Sequence, residues 1–109
     1  MKHLIIALLF LPMISFGQNP KIKDFKITIL STMLSDFHTG EWGFSAMIEV
    51  DGERILFDAG SKENTVLQNA KELNINLDNI DNIYLSHNHK DHTGGLITLK
   101  KEYPNSFKN

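Results

Sequence analysis

The dipeptide Asp51-Gly52 separates two apolar-rich runs, Phe44 to Val50 and Arg54 to Phe57, and constrains the fold more than any other feature of the chain. Asp-Gly readily takes the left-handed backbone that a tight hairpin turn requires, so the two runs are predicted to pair as antiparallel strands. Upstream, Ile22, Phe25, Ile27, Ile29 and Leu30 are set among Lys and Thr in a mostly alternating pattern, which predicts a half-buried strand from Ile22 to Ser31. Downstream, the hairpin runs out in Asp58-Ala59-Gly60. Val66, Leu67, Ala70 and Leu73 then recur at helical spacing, with Ser61 as the expected N-cap and a stop near Asn74. The run Ile83-Tyr84-Leu85 reads as a buried strand, and Leu96, Ile97 and Leu99 begin a short helix closed by Pro104. Strands, helix, strand and helix in this order make an α/β layer whose sheet buries a face under helices.

Composition narrows the function classes. A chain of 109 residues with 41% hydrophobic and 22% charged residues is an ordinary globular domain, and a net charge of −2 excludes a strongly basic nucleic-acid footprint. With no cysteine, a disulfide framework, a thiolate nucleophile and Cys-ligated zinc are all excluded, so any metal site must use His and carboxylates. The N-terminus reads as a separate piece. Lys2 and His3 precede the apolar run Leu4 to Leu11, a break at Pro12, and small residues at Ser15 and Gly17, the order of a cleavable secretory signal over residues 1–17. A buried strand or a retained anchor is the alternative. On the first reading the domain is residues 18–109, exported to the periplasm or outside the cell, with no membrane association after cleavage.

Three histidines and an aspartate, His87, His89, Asp91 and His92, fall within six residues directly after a predicted strand and before Gly94-Gly95. Neutral imidazole and carboxylate are the donors that suit Zn²⁺, with manganese or iron as alternatives, and one strand end holds them at low ordering cost. In an extended stretch His87 and His89 project to the same side, while the turn toward Gly94 swings Asp91 and His92 to a second nearby point. Two adjacent metal positions are the geometric reading. A solvated polar loop is the bland one.

The block LSHNHKDHTGGL resembles the H-x-H-x-D-H signature of the metallo-β-lactamase superfamily, and Ile55 to Gly60 is similar to that superfamily's strand ending in D-x-G. Glu41 to Ser45, the Asp-Gly hairpin, FDAG and LDNID resemble its dihydropterin–ribofuranosylaminobenzene phosphate synthase-like branch. The resemblance implies an N-terminal half of an αββα sandwich, truncated. It implies two zinc ions, the first on His87 and His89 and the second on Asp91 and His92, with Asp91 also the catalytic carboxylate and Asp58 orienting the ligands. It further implies a metal-dependent hydrolase of a small molecule that uses a zinc-bound hydroxide, with phosphodiester or pterin-type transfer chemistry as the alternative within enzymes. For Asp58 a turn-capping role stays open.

Beyond His92 the sequence holds no further histidine or aspartate, and Glu102 is the only carboxylate side chain there. Each expected metal position therefore has two ligands where three or four are usual, so the chain is expected to be inactive alone. A non-catalytic metal-binding or interaction half-domain, completed by self-association or by a partner over its exposed sheet face, is the competing class. Between the first two strands, His38, Glu41 and Trp42 lie on a long loop that could overhang the metal centre and shape a substrate pocket. An exposed loop histidine and a tryptophan covering a sheet edge are the simpler readings of two of these. Lys100, Lys101 and Glu102 read as a solvated helix face.

Overall fold

The computed structural model describes residues 19–80 and 82–108, so the signal peptide expected over residues 1–17 lies outside the described residues. Four strands, β1 (Phe25–Ser31), β2 (Ser45–Val50), β3 (Glu53–Phe57) and β4 (Asn82–Tyr84), form one sheet in the order β1-β2-β3-β4. The first two pairings are antiparallel and β3 with β4 is parallel, which makes the sheet mixed. Helix α1 (Thr65–Glu72) carries the chain from β3 to β4, the kind of long crossover that parallel neighbours need. A single helical turn, α2 (Lys90–Thr93), and a short helix, α3 (Leu96–Glu102), follow β4.

The hairpin forms where the sequence predicts it. Asp51 and Gly52 both have positive φ, 48° and 89°, the combination a two-residue turn matched to strand twist requires. Asp51 also accepts hydrogen bonds from the backbone N–H groups of Lys23 and Asp24, which draws the start of β1 alongside. Helix α1 begins later than expected. Asn64, not Ser61, precedes its first residue, and the N–H groups of Ser61 and Lys62 ahead of it donate to the carboxylate of Glu41.

Register shows why one sheet face is covered and the other is not. Met47, Leu56 and Ile83 are paired across β2, β3 and β4, and Met47 and Leu56 are fully buried with Val66 and Ala70 of α1 and Leu99 of α3. On the opposite face Ile27, Ile48 and Ile55 form one row, and Ile29, Ala46, Phe57 and Tyr84 another. Phe25, Ile27, Ile29 and Tyr84 are exposed there, at 56%, 49%, 44% and 57%. An apolar face spanning all four strands is more than the scattered exposure of an ordinary surface. The segment after α3 does not add a strand. It turns at Pro104, and Phe107 folds inward to 6% exposure, its N–H donating to the Ile80 carbonyl at 2.6 Å. Among the described residues no helix is long and apolar enough to cross a membrane.

Candidate functional site

The site is assembled where the end of β3 meets the loop after β4. Asp58 directly follows β3 in the left-handed conformation, φ 55°, which Asp tolerates better than most residues. Its backbone N–H donates to the Tyr84 carbonyl at 2.8 Å, and the next N–H, of Ala59, donates to the His92 carbonyl at 2.7 Å. In return the N–H groups of Gly94 and Gly95 donate to the carbonyls of Gly60 and Ala59 at 2.7 and 2.9 Å. The approach is close enough that a Cβ at residue 94 would collide with the Ser61 backbone, so glycine is required there.

The Asp58 carboxylate is 1% exposed and faces the loop. One oxygen accepts from the Ser86 N–H at 2.7 Å; the other accepts from the Ser86 hydroxyl at 2.7 Å and lies 2.6 Å from Nδ1 of His92. Burial opposes its ionisation, but the Ser86 N–H and hydroxyl and the His92 ring outweigh that cost and hold the carboxyl below its ordinary range. A carboxylate against Nδ1 places the ring proton there and leaves Nε2 of His92 with its lone pair free to ligate, 3.4 Å from Oδ2 of Asp91.

His87, Asp91 and His92 each bring a ligand atom into a group lying within 4.8 Å. The rings of His87 and His92 are 4.2 Å apart. The α2 turn makes this possible, since the His92 N–H donates to the His89 carbonyl at 3.0 Å and so carries residues 91 and 92 back toward His87. His89 is extended at the head of that turn. Its ring lies 4.5 Å from that of His87, but its nitrogens are not among the three grouped donors. The donor atoms therefore group across the expected division of His87 with His89 and Asp91 with His92. Two imidazoles and a carboxylate, already converged and with a hydrogen-bonded carboxylate fixing one ring, fit a divalent cation that keeps an open coordination position.

The three loop residues part company. Glu41 is 6% exposed, and its carboxylate accepts from the Ser31 hydroxyl at 2.6 Å and from the N–H groups of Ser61 and Lys62 at 2.8 Å each. It joins the end of β1 to the segment ahead of α1. His38 pairs with Glu72 of α1 at 2.9 Å and is not among the grouped donors. Trp42 is 71% exposed and borders a cleft with Met33, Phe44, Asp91 and His92. A larger cavity is lined by Thr39, Ser61, Lys62, Gln68 and Lys90. Sequence reasoning missed Ser86, Ser31 and Asn69. The side chain of Asn69 donates to the carbonyls of Leu30 and Thr39 at 2.8 Å and accepts from the Thr39 N–H at 3.1 Å, which ties down the loop's first half. Only Ser86, adjacent to the histidine block, carried any local signal.

A family model described as Anti-Pycsar protein Apyc1 matches residues 25–108. The chain belongs to that family. It is 40% identical over 104 residues to a 7,8-dihydropterin-6-methyl-4-(β-D-ribofuranosyl)-aminobenzene-5'-phosphate synthase of Methanocaldococcus jannaschii, an overlap of 81% of this chain and 35% of the synthase. A second protein of that organism, named only as uncharacterised, is 42% identical over 71 residues, 65% of this chain and 27% of its own length. The chain thus spans about a third or less of the curated relatives it matches.

These matches correct the assignment drawn from the histidine signature. The family is that of Apyc1 and the named relative is a synthase, in place of the metallo-β-lactamase superfamily, and the zinc-hydroxide hydrolase reading falls with it. The physical reason is that H-x-H-x-D-H reports donor types on a loop, and the same donors serve different reactions. Pterin-type transfer, held above as the alternative, stands closer to these relatives.

Proposed function

We propose that this chain supplies the cation-binding loop and part of the substrate cleft of a pterin synthase-like enzyme, one that assembles a dihydropterin with a phosphorylated ribosyl-aminobenzene. The observation that carries the reading is the convergence of His87, Asp91 and His92 within 4.8 Å in a chain 40% identical to a synthase of that name. His87 and His92 would hold the ion through imidazole nitrogen and Asp91 through carboxylate oxygen, with zinc favoured by this donor set and manganese or iron accepted by it. When bound, such an ion supplies a Lewis acid for a substrate oxygen. Asp58 keeps the His92 ring oriented and its Nδ1 protonated, and Ser86 keeps Asp58 in place.

The same reading makes the sheet one layer of a two-sheet αββα arrangement. The uncovered face of Phe25, Ile27, Ile29 and Tyr84 supports a second layer, provided by the remainder of a protein of the relatives' length or by another copy. Calorimetric titration of the full chain, first with Zn²⁺ and then with 6-methyl-7,8-dihydropterin, tests the functional assignment. Pterin binding that requires the ion and disappears in Asp91→Ala is expected. A zinc-loaded chain that binds no dihydropterin overturns it.

A further inference from the structure

Trp42 is the single tryptophan of the chain and is 71% exposed, although an indole is among the side chains folding most gains from covering. The chain on either side of it, by contrast, is tied down by hydrogen bonds. On one side of it Glu41 is buried, its N–H donating to the Thr32 carbonyl at 3.0 Å and its carboxylate bonded to Ser31, Ser61 and Lys62. On the other, the Phe44 N–H donates to the Asp91 carbonyl at 3.1 Å, and the Phe44 carbonyl accepts from the Gly60 N–H at 2.9 Å. Gly43 is packed so closely that a Cβ there would stand 2.6 Å from the Ser61 nitrogen and 2.8 Å from the Asp91 carbonyl oxygen. The indole is therefore presented on a fixed stretch of chain bonded directly to the histidine loop. An exposed aromatic on an immobilised backbone is how a binding surface is built at low ordering cost.

What it borders is an open cleft of about 270 Å³, lined by Met33, Trp42 and Phe44 beside Asp91 and His92. Clefts for drug-sized ligands run from about 300 to 1,000 Å³, so this one suits a single fused ring system. Its lining residues include a tryptophan, a phenylalanine and a methionine, residue types that attract a flat π-system by stacking and sulfur contact.

We infer that Trp42, with Met33 and Phe44, is the stacking wall that receives a planar bicyclic heteroaromatic ring and sets it against Asp91 and His92. The choice of a pterin as that ring rests on the proposed function; the wall itself rests on the geometry.

The test uses the full chain and its single tryptophan as reporter. Titration of the Zn²⁺-loaded chain with 6-methylpterin is expected to quench Trp42 fluorescence, with the pterin's own fluorescence anisotropy giving an independent affinity. Trp42→Ala is expected to weaken that affinity about tenfold or more, and Trp42→Phe, which keeps a stacking face, about threefold or less. Met33→Asp leaves the reporter in place and is expected to weaken binding by putting a charge into the cleft. Circular dichroism checks that each variant is folded. Pterin binding without quenching, unchanged in Trp42→Ala, overturns the stacking wall and leaves the pterin reading intact. Quenching by adenosine but not by pterin supports the wall and removes the pterin reading. Binding of neither ring overturns the inference.

Discussion

Glu41 and Asp58 are both buried carboxylates held below their ordinary pKa by hydrogen bonds that outweigh the cost of burial, yet they do different work. Glu41 gathers only backbone N–H groups and hydroxyls, from Ser31, Ser61 and Lys62, and joins the end of β1 to the segment ahead of α1. Asp58 gathers Ser86 and an imidazole, and that imidazole has a second nitrogen turned toward the other donors. Depth of burial does not separate a structural carboxylate from a site-building one. The partners do: a carboxylate bonded to groups with nothing further to offer ends a network, while one bonded to histidine passes its orientation on.

The largest expected effect lies on the structural side. Glu41→Gln places an amide among N–H donors it cannot fully satisfy, and the loss of stability is expected to be roughly 2–4 kcal/mol, read by urea denaturation. The pH dependence follows from the direction of the shift. Because the folded pKa of Glu41 lies below its ordinary value of 4.5, its contribution is present above that pH and is lost as pH falls through the folded value. Stability of the parent chain should therefore drop below about pH 4.5 by more than that of Glu41→Gln. Parallel acid limbs would show that the carboxylate's charge contributes nothing.

On the other side of the comparison, Asp58→Asn is expected to reduce Zn²⁺ affinity about 10–100-fold, roughly 1.4–2.7 kcal/mol, with a smaller loss of stability than Glu41→Gln. A zinc affinity that survives while stability collapses would place Asp58 with Glu41 as a scaffold carboxylate.

Much of the fold was legible because local chemistry and tertiary need agree there. Asp51-Gly52 encodes its own turn, and the alternation in β1 and β2 fixes which side chains share a face. Ser61 misled for the opposite reason: it has the side chain of an N-cap, but it lies in a stretch bonded to Glu41, twenty residues earlier, and the helix starts only after Asn64. The turn toward Gly94 was legible, but its helical form was not, because Lys90 to Thr93 has no apolar periodicity and is held by its place between β4 and Gly94. Of the candidate site, the donor types were legible, but their grouping was not, since which nitrogen joins which oxygen depends on how tightly that turn winds back on His87. The reaction was least legible, because ligand types constrain an ion far more than a substrate.

The smallest effect sharpens the grouping. His89→Ala is expected to change Zn²⁺ affinity about threefold or less, roughly 0.7 kcal/mol or less, whereas His92→Ala should exceed the loss in Asp58→Asn, because it removes the donor that Asp58 only orients. The contrast rests on geometry: His92 is gathered with His87 and Asp91, while His89 stands at the head of α2 with its ring against His87. Parallel titrations of the two variants decide it. If His89→Ala costs as much as His92→Ala, the loop rearranges around the ion to recruit a fourth donor, and the three-residue grouping describes only the metal-free arrangement. If neither matters, the histidine loop holds no cation, and Asp58 is a scaffold carboxylate after all.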